Sequence, residues 1–323
     1  MIEIDCSEGE SGGQIVRTAL SLSSITQKPI RLFNIRAKRP NPGLAAQHLM
    51  CARSVRKICR GTLEHDEIGS SDLIFNPGKI VGGEYEFNIG TAGSVTLVAQ
   101  TVIPILLYAD KPSKIKIIGG THVMKSPGYD YFEKVFIPAI NLIGAKAASK
   151  LIMPGFYPKG GGEIEFEVSP SKLHSRIEWP KTDEVKSLIR LSGLPASIGV
   201  REKIIFHNNK LPSVRVYEDD AESIGNAITS WRGLCGSYVL GEKGKRAEVV
   251  AQEAIDELKK ETECGADVDK HLADQILLYL CLADRKSTFS TSEITSHFTT
   301  NCQTIGRFLE RKIKVLENVV SIS

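Results

Sequence analysis

Several short segments of this 323-residue chain carry side chains that could do chemistry. Gly9-Glu10-Ser11-Gly12-Gly13-Gln14 stands between a short strand pattern and an apolar helical one. A glycine turn that opens a helix presents backbone N–H groups and the positive end of the helix dipole, which suits a phosphate. Glu10 would repel that phosphate unless a cation lay between them, and a carboxylate on Mg2+ bridging to phosphate oxygens resolves the conflict. A tight turn with a capping carboxylate is the plainer reading. The spacing is not that of a Walker loop. Residues 35–44 set Arg36, Lys38 and Arg39 in a loop stiffened by Pro40 and Pro42, and guanidiniums fixed this way suit bidentate phosphate binding. Gln47-His48 opens the helix that follows. His297 sits among small polar residues (295–301), ahead of a helix bearing Ile305, Phe308 and Leu309, with no second histidine at metal-ligand spacing. Thr91-Ala92-Gly93-Ser94, Gly119-Gly120-Thr121-His122 and the aromatic, basic turn from Phe156 to Gly162 are further turns at element ends.

The elements that must position these residues repeat along the chain. Residues 28–35 resemble residues 111–118, an offset of 83, and each copy follows an apolar helical pattern, Ile15 to Ile25 and Val98 to Tyr108. A third copy begins near the C-terminus: Leu282-Ala283-Asp284 resembles Tyr108-Ala109-Asp110 at an offset of 174, after a helical pattern from Leu272 to Leu282. There the polar segment from Ser287 to Thr295 stands where a strand is expected. Under these offsets Arg17, Gln100 and Asp274 fall at equivalent points near three helix starts. Polar groups that interrupt apolar helices usually have partners. Strand patterns at Glu84 to Ile89, Lys114 to Ile118 and Glu163 to Val168 alternate with the helices. The expected class is α+β, a large domain of repeated helix-on-sheet units. Residues 184–266 break the repeat. They carry their own strand patterns (Leu188 to Leu191 and Ser213 to Tyr217) and an amphipathic helix, Ala247 to Lys260. A small α/β domain at 184–266, inserted into a large one made of 1–183 and 267–323, explains the order.

The bulk composition fits a globular protein, with a 41% hydrophobic fraction and a net charge of +3. That small net charge hides a local bias. Ten Lys and Arg residues and no Asp or Glu lie between Ser11 and Leu63, a pattern that favours a polyanionic ligand over a plain basic face. The seven cysteines are scattered and never spaced Cys-x-x-Cys, which argues against a disulfide framework and a zinc site and for reduced thiols in the cytoplasm. The most apolar stretch, Val95 to Leu107, is shorter than the roughly 20 residues that span a bilayer and reads as a buried helix.

Taken in order, these segments resemble the RNA 3′-terminal phosphate cyclase family from Ile4 to about Leu309. The resemblance rests on residues 9–17 (Gly-Glu-Ser-Gly-Gly-Gln-Ile-Val-Arg), 35–48, 91–95, 119–121, 157–162, 240–245 (Leu-Gly-Glu-Lys-Gly-Lys), 271–275 (His-Leu-Ala-Asp-Gln) and the His297 segment. It implies ATP-dependent conversion of an RNA 3′-phosphate to a 2′,3′-cyclic phosphate. His297 would be the nucleophile adenylylated by ATP, and Glu10 would help hold Mg2+ or another divalent metal. Arg17, Arg39 and Gln47 match positions that handle phosphate or RNA; Gln100, Pro127, Tyr131, His271 and Asp274 match positions around the nucleotide. The chain departs from the family pattern at Ser11, where a glycine is usual, and at His271, where bacterial and animal members carry a tyrosine near the adenine. Two other readings compete. One is a non-catalytic cyclase-like RNA-binding protein of ribosome assembly. The other is an enolpyruvyl transferase, also built of repeated helix–sheet units.

Overall fold

This computed structural model of the chain describes residues 1–9 and 12–323. Three stretches share one pattern. The first runs β1 (Ile2–Asp5), α1 (Gly13–Thr26), β2 (Ile30–Phe33), α2 (Ala46–Cys59), β3 (Thr62–Glu64), β4 (Leu73–Asn76). Its sheet has the order β1-β2-β4-β3, with β1 parallel to β2 and the other pairs antiparallel. The second runs β5 (Glu84–Asn88), α3 (Val95–Leu106), β6 (Ser113–Gly119), then α4 (Tyr129–Tyr131), a π-helical turn (Phe132–Phe136) and α5 (Ile137–Leu142) end to end, then β7 (Lys146–Met153) and β8 (Gly162–Ser169). Its sheet order, β5-β6-β8-β7, and its strand directions repeat the first. The fold is α+β.

Next in the chain come β9 (Val185–Ser192), α6 (Ala196–Asn208), β10 (Val214–Asp219), β11 (Gly225–Arg232), β12 (Cys235–Leu240) and α7 (Ala247–Thr262). They form a separate sheet, β10-β9-β11-β12, against which α6 and α7 pack. Its apolar cluster, including Ile189, Leu191, Phe206, Ile228 and Ile255, is distinct from the main core. The repeated pattern then resumes with α8 (Lys270–Leu282), β13 (Ser287–Ser290), α9 (Ser296–Gly306), β14 (Ile313–Leu316) and β15 (Val319–Ile322). The order β13-β15-β14 matches the last three positions of the first two sheets. The missing first strand survives as one parallel bridge, Val268 to Thr291. So the segment from Ser287 divides: its first half is the strand, and residues 291–295 lead into α9.

The helices close a ring. The second helix of each stretch packs on the first helix of the next: α2 on α3, the 129–142 helical run on α8, and α9 back on α1. One continuous apolar core fills the ring, drawing Leu20, Val98, Ile276 and Phe298 from all three stretches. The apolar run at the centre of α3 is fully buried, as its composition requires. Among the described residues no helix is long and apolar enough to cross a membrane.

Two buried polar knots tie the extra sheet to this body. Arg190 of β9 donates from Nε and Nη2 to the two carboxylate oxygens of Asp130 at 2.7 and 2.9 Å, and Asp130 also meets His122 Nε2 at 3.1 Å. Burial alone would raise the Asp130 carboxyl, but His122 and Arg190 hold it well below the usual range. The second knot is Asp269. It accepts from Tyr131 Oη at 2.8 Å, from Gly236 N at 2.9 Å, and from His271 N and Leu272 N as the N-cap of α8. Asp269→Ala strands all of these donors in a site with no exposure. The expected loss is about 3–5 kcal/mol, read as a lower urea midpoint at unchanged slope. A drop under about 1 kcal/mol would contradict this account.

Within the extra sheet Glu202 is fully buried. One oxygen accepts from Asn226 Nδ2 at 3.2 Å, and the other has no partner among the described residues. Burial pushes its carboxyl up to about 7. The neutral acid therefore supports folding below the unfolded value of about 4.5, and that support is lost as pH rises through about 7. Glu202→Gln is expected to be more stable than the parent by about 1–3 kcal/mol at pH 8 and equal to it near pH 4.5. Parallel urea titrations at the two pH values check the sign, and a gap that widens toward acid refutes it.

Candidate active site

The chemistry gathers where α1, α8 and α9 meet. Gln14, in the first turn of α1, donates from Nε2 to Asp274 Oδ2 at 3.2 Å. Its amide oxygen lies 3.2 Å from His297 Nδ1. A carbonyl oxygen only accepts, so this contact assigns the ring proton to Nδ1 and leaves the lone pair on Nε2. One amide thus links a carboxylate to an imidazole and fixes both the tilt and the tautomer of the ring. Asn301, one turn after His297, donates to the Asp274 carbonyl at 2.8 Å and accepts from Thr18 Oγ1 at 2.8 Å, which locks α9 across α8 and α1. His297 is not in a loop, as its small polar neighbours suggest. Thr295 caps α9 through Phe298 N, so His297 lies in the first helical turn.

Gly12 precedes α1 and has no side chain to cap it, whereas Ser94, Asp269 and Thr295 cap α3, α8 and α9. A β-carbon at Gly12 would stand 3.5 Å from Arg39 Nη2 and 3.7 Å from His297 Cε1, so cation and imidazole flank the turn. Arg17 is on the same helix, half-buried, and burial lowers its pKa despite Cys51 and Asp274 nearby. The acid-free run does not form a single basic face. Arg31 pairs with Asp72, Arg53 with Asp66, and Lys57 lies over Tyr85 and Phe87, away from the turn.

The other candidates form a second, linked group. Gln47 Oε1 accepts from Ser94 N at 2.9 Å, and Ser94 Oγ, Thr96 Oγ1 and the Pro127 carbonyl continue the chain at 2.8 and 2.7 Å. Gln100 donates to Gln275 at 2.7 Å, joining α3 to α8. The exposed His271 stands in the first turn of α8. Tyr131 is buried, with its hydroxyl on Asp269. Glu10 and Ser11 lie outside the described residues. Among the described residues no group of three His, Cys, Asp or Glu could hold a metal. Mg2+ does not need one, since it usually takes one or two carboxylates and completes its shell with phosphate and water. Sequence reasoning quoted Gln14 only as part of the glycine turn and passed over Asn301. The signal for Asn301 was its i+4 spacing from His297.

The RNA 3′-terminal phosphate cyclase family matches residues 8–315. A protein of that name from Archaeoglobus fulgidus is 40% identical over 328 residues, covering 100% of both chains. The chain belongs to the RNA 3′-terminal phosphate cyclase family. Another cyclase of that name, from Saccharolobus islandicus, is 41% identical over 329 residues, 98% of this chain and 96% of that one. Among solved structures, the enolpyruvyl transferase NikO from Streptomyces tendae overlaps 65% of this chain and 38% of its own at a TM-score of 0.30 and 12% identity, which carries no argument about shared function.

Proposed function

We propose that this chain is an ATP-dependent RNA 3′-terminal phosphate cyclase. The observation that carries the reading is the Asp274–Gln14–His297 chain, because it holds the imidazole beside the start of α1 with its proton on Nδ1. Neutral imidazole Nε2 attacks the α-phosphorus of ATP, the bond to the bridging oxygen breaks, and pyrophosphate leaves. An oxygen of the RNA 3′-phosphate attacks the same phosphorus, the P–N bond breaks, and His297 is restored. The vicinal 2′-OH then attacks the RNA phosphorus, loses its proton and expels AMP. Arg39 and Arg17 would offset phosphate charge, and Gln47 would hold the acceptor side. Gln100, Pro127, Tyr131, His271 and Asp274 would shape the nucleotide site. Glu10, together with the phosphates, would hold a divalent metal whose chemistry is charge neutralisation. Residues 184–266 would be an inserted domain, consistent with their separate sheet and apolar cluster. The partners are RNA with a 3′-phosphate end and ATP, and the setting is the cytoplasm, where free cysteines stay reduced.

The test is incubation with ATP, Mg2+ and an oligoribonucleotide ending in a 3′-phosphate. A phosphatase-resistant end, with one AMP and one pyrophosphate released per end, supports the reading. RNA binding with no ATP consumed would favour the non-catalytic relative of ribosome assembly.

A further inference from the structure

Glu261 has no part in the chemistry above, yet it stands at the joint between the extra sheet's last helix and the two helices that carry that chemistry. It lies in the last turn of α7 with 3% exposure. Its Oε2 accepts from the backbone N of Lys270, the first residue of α8, at 3.2 Å, and from Ser292 Oγ. Its Oε1 lies 3.3 Å from Lys270 Nζ, and that ammonium reaches on to Glu293 Oε2 at 3.7 Å. The two donors to Oε2 lead to different places. Lys270 opens the turn that holds His271, with Asp274 one turn further on, while Ser292 stands ahead of Thr295, the cap of α9, and so ahead of His297. One carboxylate oxygen thus clamps the start of α8 to the lead-in of α9, from an element that belongs to neither. The same two helices meet again at the site, where Asn301 donates to the Asp274 carbonyl at 2.8 Å. Burying a carboxylate is costly, and a packed apolar side chain often stabilises a joint as well. An apolar side chain could not bond an amide of one helix and a hydroxyl ahead of the other at once.

We propose that Glu261 is a positioning residue for the transfer of AMP to His297. From α7 it holds the start of α8 and the lead-in to α9 in one register, and so sets where His297 stands relative to the nucleotide-side residues His271 and Asp274. The proposal rests on the function given above. Attack in line on the α-phosphorus needs the ring nitrogen placed closely, and a misplacement of about 1 Å by a change far from the chemistry can cost about 10²-fold in rate. With Glu261 in place α8 and α9 are tied on both sides of His297, at Ser292 before it and at Asn301 after it. Without it the α9 side of that clamp is lost, and the ring has more room to drift from the phosphorus.

Rapid-quench measurement of label uptake from α-labelled ATP with Mg2+ and no RNA, over a range of ATP concentrations, tests this. Glu261→Ala should lower the rate constant at saturating ATP roughly tenfold. Glu261→Gln, which can accept from Lys270 N and donate to Ser292 Oγ, should recover most of it. Ser292→Ala, which cuts only the α9 side, should slow uptake and leave the half-saturating ATP concentration unchanged. The amplitude of uptake reports how much of the protein is folded, and the rate constant reports how the folded protein is arranged. A Glu261→Ala variant with a lower amplitude and an unchanged rate constant would therefore have lost structure only, which overturns the proposal. So would an Ala variant that matches the parent in both, or a Gln variant no faster than the Ala one. Failure of the functional reading looks different, since the folded parent would then take up no label, and the proposal would fall with it.

Discussion

His297→Ala is expected to abolish label transfer from ATP labelled at its α-phosphate, by at least about 10⁴-fold, with no RNA present. Parent protein should retain acid-labile label, the signature of a phosphorus–nitrogen bond. The size follows from the geometry. One imidazole is held through Nδ1 by Gln14, and Gln14 is held in turn by Asp274. Another side chain would have to reproduce both the position and the tautomer to take over. The substitution should not unfold the protein. His297 is half-buried, the α9 cap belongs to Thr295, and the link to α8 and α1 belongs to Asn301 and Thr18. Label retained by the folded His297→Ala variant would mean another nucleophile. Absence of label on the folded parent across several divalent metals would return the protein to the binding class.

The second large effect concerns the substrate. An end that carries a 3′-phosphate on 2′-deoxyribose should be activated but not closed, so that an oligonucleotide–AMP conjugate accumulates and AMP release stops. The last step is intramolecular, and effective molarities for such steps reach about 10⁵–10⁸ M. Removing the 2′-OH removes that advantage entirely, and water is a poor substitute. Mass spectrometry of the product distinguishes the outcomes. Full release of AMP with no conjugate at any time would sink the three-step scheme, while leaving His297 free to be adenylylated.

Much of the architecture was legible because it repeats. The 83-residue offset carries β2 onto β6 and α1 onto α3, and the 174-residue offset carries α3 onto α8 and β6 onto β13. Backbone periodicity is local, so a sequence shows it. The break at 184–266 was visible for the same reason, and the extra sheet lies within it. The site was legible only as residue types. Nothing local says that Gln14 bridges Asp274 and His297, because those contacts span 260 and 283 positions and depend on how α1 crosses α8 and α9. The same limit hid Asp269 as the partner of Tyr131. The acid-free run shows its cations but not their pairing, for a related reason: the carboxylates that pair with Arg31 and Arg53 lie just past its end, at Asp72 and Asp66.

The ring of helices closes between α9 and α1, and that join has a consequence for how the enzyme is made. During synthesis the chain emerges from its N-terminus, and early units can fold before later ones exist. The glycine turn, the basic loop and the second sheet are complete long before His297 is translated. The contacts that finish the proposed catalytic centre are among the most distant in the sequence, so they are expected to close late. A nascent or C-terminally clipped chain would hold the proposed anion-binding half of the machinery without the proposed nucleophile. On this reading such a fragment could occupy RNA ends but could not spend ATP on them, and catalysis switches on only once α9 has docked.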